Sequence, residues 1–142
     1  MKHIIPFDIV KTPINNGQFL IEASAGTGKT YTIANIYLRL LLEKSLHPSE
    51  ILVVTFTVPA TAELRDRLRT NLKTAYSYLT KRESKEGIDE NVLGILQTCL
   101  KQKSTIETRK LLHKALLDFD EAAIFTIHSF CMRMLAENAF ES

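Results

Sequence analysis

The chain has 142 residues, a length that suits one domain with a buried core. Hydrophobic residues make up 45% and charged residues 24%, which excludes a disordered, a collagen-like or a disulfide-rich chain. Eighteen Lys and Arg against sixteen Asp and Glu give a net charge of +2, too small to indicate nucleic-acid binding by itself.

The N-terminal segment does not have the pattern of a secretory signal, which needs roughly 7 to 15 uninterrupted apolar residues. The interrupting residues are Pro6, Asp8, Lys11 and Pro13. Apolar runs such as 51–54 are far shorter than the ~20 residues that cross a bilayer. The cysteines, Cys99 and Cys131, form no C-x-x-C pair and no metal-ligand spacing. We therefore expect a cytoplasmic protein with reduced thiols and no membrane partner.

The first third of the chain predicts an irregular lead-in, a strand, a glycine-rich turn and a helix. Residues 1–18 hold two prolines and a polar turn, so they form the lead-in. The apolar run at 19–23 predicts a buried strand. Gly26–Lys29 is the glycine-rich turn, and a helix follows from about Lys29 to Glu43. The apolar residues that recur there at the helical period are Ile33, Ile36, Tyr37, Leu40 and Leu41.

The middle of the chain predicts a second strand and a long helix. Residues 51–56 are apolar and rich in β-branched side chains, which is typical of a strand buried on both faces of a parallel sheet. Pro59 suits the first turn of the next helix. Its inner face is Leu64, Leu68, Leu72, Tyr76 and Leu79. The charged segment 81–90 is predicted to be an exposed connection.

The last third predicts two amphipathic helices, near 92–100 and 106–119, then a strand and a closing helix. The strand is expected at 122–126 and the helix at 127–139. The residues expected to face inward from that helix are Ile127, Phe130, Met134 and Leu135. The order of elements predicts an α/β fold, helix-rich, with a parallel sheet flanked by helices.

The segment that carries chemistry matches the Walker A pattern G-x-x-x-x-G-K-[ST], with alanine in place of the first glycine. Its eight residues are Ala23, Ser24, Ala25, Gly26, Thr27, Gly28, Lys29 and Thr30. Glycines let successive N–H groups point into one concave nest, and the following helix presents its positive end to the same anion. A turn without a ligand has no need of Lys-Thr after the last glycine. This segment therefore predicts a site for nucleotide phosphates.

Two side chains of this segment have catalytic roles in the prediction. The charge of Lys29 is placed for the β- and γ-phosphates of a nucleotide such as ATP. The hydroxyl of Thr30 is placed for Mg²⁺ bound with that nucleotide. The order strand, turn, helix is the structural context that the pattern requires.

Two further segments resemble motifs of the superfamily 1 DNA helicases of the UvrD/Rep type. Residues 54–65, VTFTVPATAELR, resemble motif Ia, typically T-F-T followed by A-A-x-E-[LM]-x-x-R. Residues 125–131, FTIHSFC, resemble motif Ib, typically T-x-H-[SG]-F. Three motifs in the family's order are more specific than any one of them. The likeness covers nearly the whole chain and is weakest between about Ser77 and Asp118.

The resemblance implies part of a RecA-like P-loop motor domain. It implies an ATP-driven 3′-to-5′ DNA translocase that needs ATP and Mg²⁺. It divides the chain into a lead-in (1–18), a motor core (19–80 and 120–142) and a helical insertion (about 81–119). By the same resemblance, a single-stranded DNA path would be lined by Thr55, Thr57, Arg65, Thr126, His128 and Ser129. Hydroxyls, a histidine and backbone N–H groups suit phosphate contacts.

Within the family the likeness is to the RecB branch, on the phrases LIEASAGTGKT and FTIHSFCMRML. This implies a helicase–exonuclease subunit for double-strand break repair and recombination, with single- and double-stranded DNA and RecC-like and RecD-like subunits as partners. Proteins of that branch are several times longer. We therefore expect an N-terminal fragment that binds nucleotide weakly, hydrolyses it barely or not at all, and self-associates through uncovered apolar surface.

A working motor also needs an acidic Walker B pair and an arginine finger, and neither is evident in this sequence. Asp120-Glu121-Ala122-Ala123 imitates an acidic motif. The residues before it belong to an amphipathic helix, whereas a Walker B pair ends a buried strand. We therefore expect Asp120 to cap or flank the last strand.

Several features allow two interpretations. Arg65, Arg69 and Lys73 share one helix face, which is either a DNA-phosphate surface or an ordinary solvated face. Phe7 and Gln18 either approach the adenine of a nucleotide or only pack. Glu22 either supports the neighbouring phosphate loop or is an ordinary residue at the sheet edge. The histidines expected at the surface without a metal are His3, His47 and His113. A small P-loop kinase and a non-catalytic subunit-assembly module are the alternative functions.

Overall fold

A computed structural model describes residues 5–23, 28–81 and 87–139 of the chain. Within these ranges the chain forms five α-helices and two short strands. They are α1 (Gly28–Glu43), β1 (Val53–Thr55), α2 (Val58–Lys81), α3 (Glu90–Leu100), α4 (Thr105–Leu117), β2 (Ile124–Thr126) and α5 (Ile127–Asn138). One-turn 3₁₀ helices at Pro48–Glu50 and Phe119–Glu121 lead into the two strands. The helix-rich α/β prediction is confirmed.

The sheet consists of β1 and β2, which run parallel. Val53 pairs with Ile124, and Thr55 pairs with Thr126. Parallel strands need a long crossover, and α2, α3 and α4 supply it here. The strands predicted at 51–56 and 122–126 are therefore confirmed, although each is shorter than predicted. The expected burial of the first strand on both faces is wrong, since Leu52, Val54 and Phe56 are 51%, 40% and 88% exposed.

The strand predicted at 19–23 is wrong. These residues form no strand, and Phe19 and Leu20 are 63% and 87% exposed. An apolar run becomes a strand only where a neighbouring strand satisfies its backbone N–H and C=O groups. Among the described residues, no strand pairs with this segment.

The core lies between the helices more than on the sheet. Leu64, Leu68 and Leu72 place one face of α2 against α1 and α4, and all three are almost fully buried. The other large residues of this core are Tyr37, Leu38, Leu42, Ile95, Leu96, Leu112 and Phe119. Residues from the predicted helical insertion thus share one core with the helices of the predicted motor core.

Side-chain caps explain where the helices begin. The carboxylate of Asp89 accepts hydrogen bonds from the backbone N–H groups of Asn91 and Val92, so α3 begins after it. The hydroxyl of Ser104 accepts from the N–H of Glu107 at the start of α4. Pro59 lies in the first turn of α2, as predicted, where its missing N–H has no cost.

The lead-in is held against α1 and α3. The guanidinium of Arg39, 3% exposed, donates to the carbonyls of Ile9 (3.2 Å) and Thr12 (2.6 Å) and also to the carboxylate of Glu43. Gly94 of α3 lets Val10 approach, because a Cβ atom there would lie 3.0 Å from a Val10 methyl group. Residues 9–12 are therefore anchored by contacts that are distant in sequence.

The prediction that four apolar residues of α5 face inward is wrong. Ile127, Met134 and Leu135 are 42%, 40% and 67% exposed, and Phe130 is half-buried. The helical period is correct, but the two strands that α5 contacts leave most of this face exposed. No helix in the described ranges is long and apolar enough to cross a membrane.

Tyr37 of α1 is buried, and its hydroxyl finds no hydrogen-bond partner among the described residues. Burial raises the pKa of Tyr37 to about 12, against a smaller opposite effect of the positive charge of Arg65. An unpaired buried hydroxyl costs free energy. We therefore expect the free energy of unfolding of Tyr37→Phe to be about 1 kcal/mol higher than that of the wild type, as measured by urea titration at neutral pH.

The same variant has a pH signature. Because the folded pKa of Tyr37 lies above the ordinary value of 10.0, the folded state keeps the proton more tightly than the unfolded state. The stability that comes from keeping Tyr37 protonated in the folded state is fully present below pH 10 and is lost as the pH rises toward 12. The stability advantage of Tyr37→Phe over the wild type should therefore grow over this range. If Tyr37→Phe were less stable than the wild type at neutral pH, the inference that the Tyr37 hydroxyl is unpaired would be wrong.

Candidate nucleotide and nucleic-acid site

The phosphate-loop prediction falls partly outside the described residues. Ser24, Ala25, Gly26 and Thr27 lie in the undescribed range 24–27, whereas Ala23, Gly28, Lys29 and Thr30 are described. Lys29 and Thr30 lie in the first turn of α1, as predicted, and the helix begins one residue earlier than predicted, at Gly28. The side chain of Lys29 is exposed and that of Thr30 is half-buried.

Ala23 and Gly28, the described residues on either side of 24–27, lie close together. A Cβ atom added to Gly28 would lie 3.9 Å from the Cβ of Ala23, an ordinary van der Waals contact. The first turn of α1 contains no acidic residue that would neutralise the positive end of the helix dipole. The described residues therefore combine an exposed lysine, a threonine hydroxyl and a helix N-terminus, and this combination fits a nucleotide phosphate with its metal ion.

Tyr31 fixes the start of α1 against α3. Its hydroxyl donates to the carboxylate of Asp89 at 2.8 and 2.9 Å and accepts a hydrogen bond from the side chain of Asn91 at 2.8 Å. Burial is the main cause of the raised pKa of Tyr31, and Asp89 adds to it. Tyr31 and Asp89 are 58 positions apart, so no local pattern in the sequence could reveal this contact.

The sheet brings two of the predicted motifs together. Thr55 ends β1 and Thr126 ends β2, and the parallel register makes them direct neighbours. Thr57 and His128 follow at the same edge, and both are exposed. The structure therefore brings these residues to one edge of the sheet, and their contact with DNA remains a prediction.

Several of these hydroxyls already have local structural roles. Thr126 and Ser129 form a capping box at the start of α5, in which the Thr126 hydroxyl accepts from the N–H of Ser129 at 3.1 Å. The Thr57 hydroxyl accepts from the N–H of Ala60, and the Thr55 hydroxyl bonds that of Thr61. His128 has no such bond among the described residues, so its ring is free to contact a ligand.

Arg65 points toward the sheet. Its guanidinium is half-buried and donates to the carbonyl of Ile124 at 3.1 Å, which joins α2 to β2. The neighbouring Arg69 lies over the ring of Phe119 and 3.4 Å from the carboxylate of Asp120. Lys73, the third residue on the predicted basic face, is exposed. The geometry thus favours structural roles for the two arginines.

Sequence reasoning missed the aromatic side chains at this edge. Phe56 lies between Thr55 and Thr57 and is 88% exposed. The ring of Phe125 lies 6.3 Å from that of Phe130, and the guanidinium of Arg133 lies 5.2 Å above Phe125. An exposed ring between hydroxyl groups, as Phe56 is here, is typical of surfaces on which unpaired bases stack. The exposure of Phe56 is visible only in the structure, because its sequence context indicates a buried strand.

Comparison with known proteins decides the family. The sequence profile of the UvrD/REP helicase N-terminal domain matches residues 8–142. The chain belongs to this family. It is similar to the RecBCD enzyme subunit RecB of Escherichia coli (strain K12), with 43% identity over 95% of the chain. Identity to the RecB subunit of Haemophilus influenzae is 42% over the whole chain, and to that of Chlamydia trachomatis 39% over 93%. The chain spans 12–13% of the length of these relatives.

The acidic run of this UvrD/REP domain lies in the turn before β2 and not at the end of a strand. Asp120 and Glu121 form part of the 3₁₀ turn before β2, and both are exposed. Asp120 therefore flanks the strand, as predicted from the sequence. The described residues contain no group of three or more His, Cys, Asp or Glu that could hold a metal ion.

One predicted surface histidine has partners that the sequence did not suggest. The ring of His47 contacts the carboxylate of Asp118 at 2.9 Å and the hydroxyl of Ser49 at 2.7 Å, and its side chain is 21% exposed. It joins the segment before β1 to the segment before β2. His113 is exposed and stacks on Tyr76.

The role of Tyr31 can be tested by removing one oxygen atom. Tyr31→Phe should lower the free energy of unfolding by about 1 kcal/mol, because Asp89 and Asn91 lose their shared partner. Urea denaturation followed by circular dichroism measures the change. Tyr78→Phe is the matched control and should leave the midpoint nearly unchanged. Equal midpoints for Tyr31→Phe and the wild type would show that this contact contributes nothing.

Proposed function

We propose that this chain binds ATP with Mg²⁺ as the nucleotide-binding part of a RecB-type helicase motor. The observation that carries the proposal is the first turn of α1, where Lys29 is exposed, Thr30 is adjacent and no acidic residue offsets the helix dipole. Lys29 would contact the β- and γ-phosphates, and Thr30 would hold the metal ion. Ala23, Ser24, Ala25, Gly26, Thr27 and Gly28 would supply the backbone around the phosphates.

The same chain would contact single-stranded DNA at the edge where β1 and β2 end. Thr55, Thr57, Thr126, His128 and Ser129 are the proposed phosphate contacts, and Phe56 is added as a surface for base stacking. Arg65 is proposed to act indirectly. Its guanidinium donates to the carbonyl of Ile124 and so positions β2 at this edge.

The likeness to RecB subunits supports a role in a helicase–exonuclease. In that role the full protein would act on double-stranded and single-stranded DNA during double-strand break repair and recombination. It would assemble with RecC-like and RecD-like subunits. The chain would contribute part of the first RecA-like motor domain, with its lead-in at 1–18 and its helical insertion at about 81–119.

On its own, the chain is proposed to bind nucleotide weakly and to hydrolyse it barely or not at all. Phosphoryl transfer needs acidic groups for the metal ion and the attacking water, together with an arginine finger. The only acidic pair considered from the sequence, Asp120 and Glu121, lies before β2 and not at the end of a strand. The family match does not favour the kinase or the assembly-module alternative.

Binding can be measured with a fluorescent ATP analogue and Mg²⁺. Lys29→Ala should weaken binding by about tenfold or more, because the lysine charge on the phosphates is lost. Lys44→Ala is the matched control, since Lys44 follows the last turn of the same helix and is also exposed. Circular dichroism should show the same helix content in all three proteins.

Two results would contradict the proposal. Equal binding by the wild type and Lys29→Ala would show that the nucleotide binds elsewhere. ATP turnover by the isolated chain that is abolished in Lys29→Ala would show that the chain is a complete hydrolase, contrary to the proposed inactivity.

DNA contact is best tested at His128. Substitution of Thr126 or Ser129 would also remove a helix cap, so a loss of binding there would be ambiguous. His128→Ala should weaken binding of a fluorescent oligothymidylate several-fold in anisotropy titrations while leaving the thermal midpoint unchanged. His113→Ala on α4 is the matched control. If His128→Ala and Phe56→Ala each bind the oligothymidylate as tightly as the wild type, this edge is not the DNA path.

A further inference from the structure

A basic pocket lies at the far end of α1 from the phosphate-loop residues. Its volume is about 500 Å³, within the range of ligand-binding clefts. It is formed by the lead-in near Val10, by the last turn of α1, and by the turn that joins α3 to α4. The lining residues on α1 and directly after it run from Arg39 to Lys44, so the pocket lies roughly 17 to 24 Å along the helix from Gly28. It is therefore separate from the proposed nucleotide site.

The charge of this pocket is one-sided. Five cationic side chains line it against a single carboxylate, in a chain whose net charge is only +2. They are Lys11, Arg39, Lys44, Lys101 and Lys103. The carboxylate is that of Glu43, and it is already bonded to Arg39 at 2.7 and 3.2 Å. The pocket therefore has an excess of positive charge with no lining carboxylate left to balance it.

Two of the five cations are committed to the fold. Arg39 holds the lead-in, and Lys103 donates to the carbonyl of Leu42 at 2.7 Å, which satisfies the end of α1. Lys11 lies close enough to Asp8 to lower the pKa of that carboxyl, after the backbone N–H groups of Lys11 and Val10. Lys44 and Lys101 are exposed, and neither forms an ion pair with a described residue. These two are the cations best available to a ligand.

We propose that this pocket binds an acidic segment of a partner polypeptide. Val10 and Ile14, both partly exposed, line the pocket beside the lysines, so it offers apolar contact as well as charge. A peptide that alternates carboxylates with apolar side chains would use both, whereas contact with a DNA backbone uses charge alone. None of the proposed DNA contacts lines this pocket. The geometry thus favours a protein partner over nucleic acid.

The test uses a fluorescein-labelled peptide of alternating glutamate and leucine, titrated with the chain in anisotropy measurements. The double variant Lys44→Glu/Lys101→Glu should weaken binding about tenfold or more, because it reverses both available charges. The control, Lys110→Glu/Lys114→Glu, carries the same change on exposed lysines of α4 that lie outside the pocket. It should keep most of the wild-type affinity.

A second probe distinguishes the partner class. A labelled oligothymidylate should bind the wild type and the Lys44→Glu/Lys101→Glu variant with equal affinity. Oligothymidylate binding that is lost in this variant, with no binding of the peptide, would overturn the proposal and make the pocket a nucleic-acid site. Equal loss of peptide binding in both double variants would show attraction by net charge alone and would also overturn it.

Folding is checked separately. The neutral variant Lys44→Gln/Lys101→Gln removes the two charges without introducing repulsion. It should show wild-type circular dichroism and an intermediate loss of peptide affinity. If this variant binds the peptide as tightly as the wild type, the two lysines do not form the site.

Discussion

Val53, Val54 and Thr55 pair in parallel with Ile124, Phe125 and Thr126, and strands that run in the same direction cannot be joined by a tight turn. The chain must therefore leave β1, cross the domain and return before β2 can form. The crossing segments are α2, α3 and α4, and their buried faces make most of the core. The same pairing places Thr55 beside Thr126. One backbone arrangement thus determines both the packing of the helices and the juxtaposition of the two predicted DNA motifs.

The helices could be predicted well because their signals are local. A helix was expected from about Lys29 to Glu43, and α1 is Gly28–Glu43. The glycine and the following lysine mark its start, while the spacing of Tyr37 and Leu41 marks its buried face. The strands at 51–56 and 122–126 were also found, because β-branched and apolar residues are concentrated there.

The failures have a common physical cause, which is that a local pattern does not say what covers it. The segment 19–23 is apolar, yet Leu20 is 87% exposed and no described strand pairs with it. The apolar side of α5 has the right period, yet Leu135 is 67% exposed. The described structure leaves these surfaces uncovered, so self-association through them stays a prediction.

In the candidate site, too, some residues are predicted by a local pattern and others are brought together only by packing. Lys29 and Thr30 were predicted from their motif, which is local, and the structure places both in the first turn of α1. The strand predicted before the motif does not form at 19–23, and the contact of Lys29 and Thr30 with a nucleotide stays a prediction. The contact of Tyr31 with Asp89 could not be predicted, because 58 positions separate the two residues. Nor could the bond of His47 to Asp118, or that of Arg39 to the carbonyl of Thr12. Such contacts depend on the packing of the helices, which the sequence pattern does not specify in enough detail.

The long crossover between β1 and β2 also bears on how the domain folds. Contacts within and between successive helices close short loops, whereas the strand pair closes a loop that contains three helices. Closing such a loop costs more chain entropy, so we expect the helical core to assemble first and the sheet to join it late. Regions that join late and bury little apolar surface also open most easily. The edge that carries Thr55 and Thr126 would then be the most readily rearranged part of the folded core.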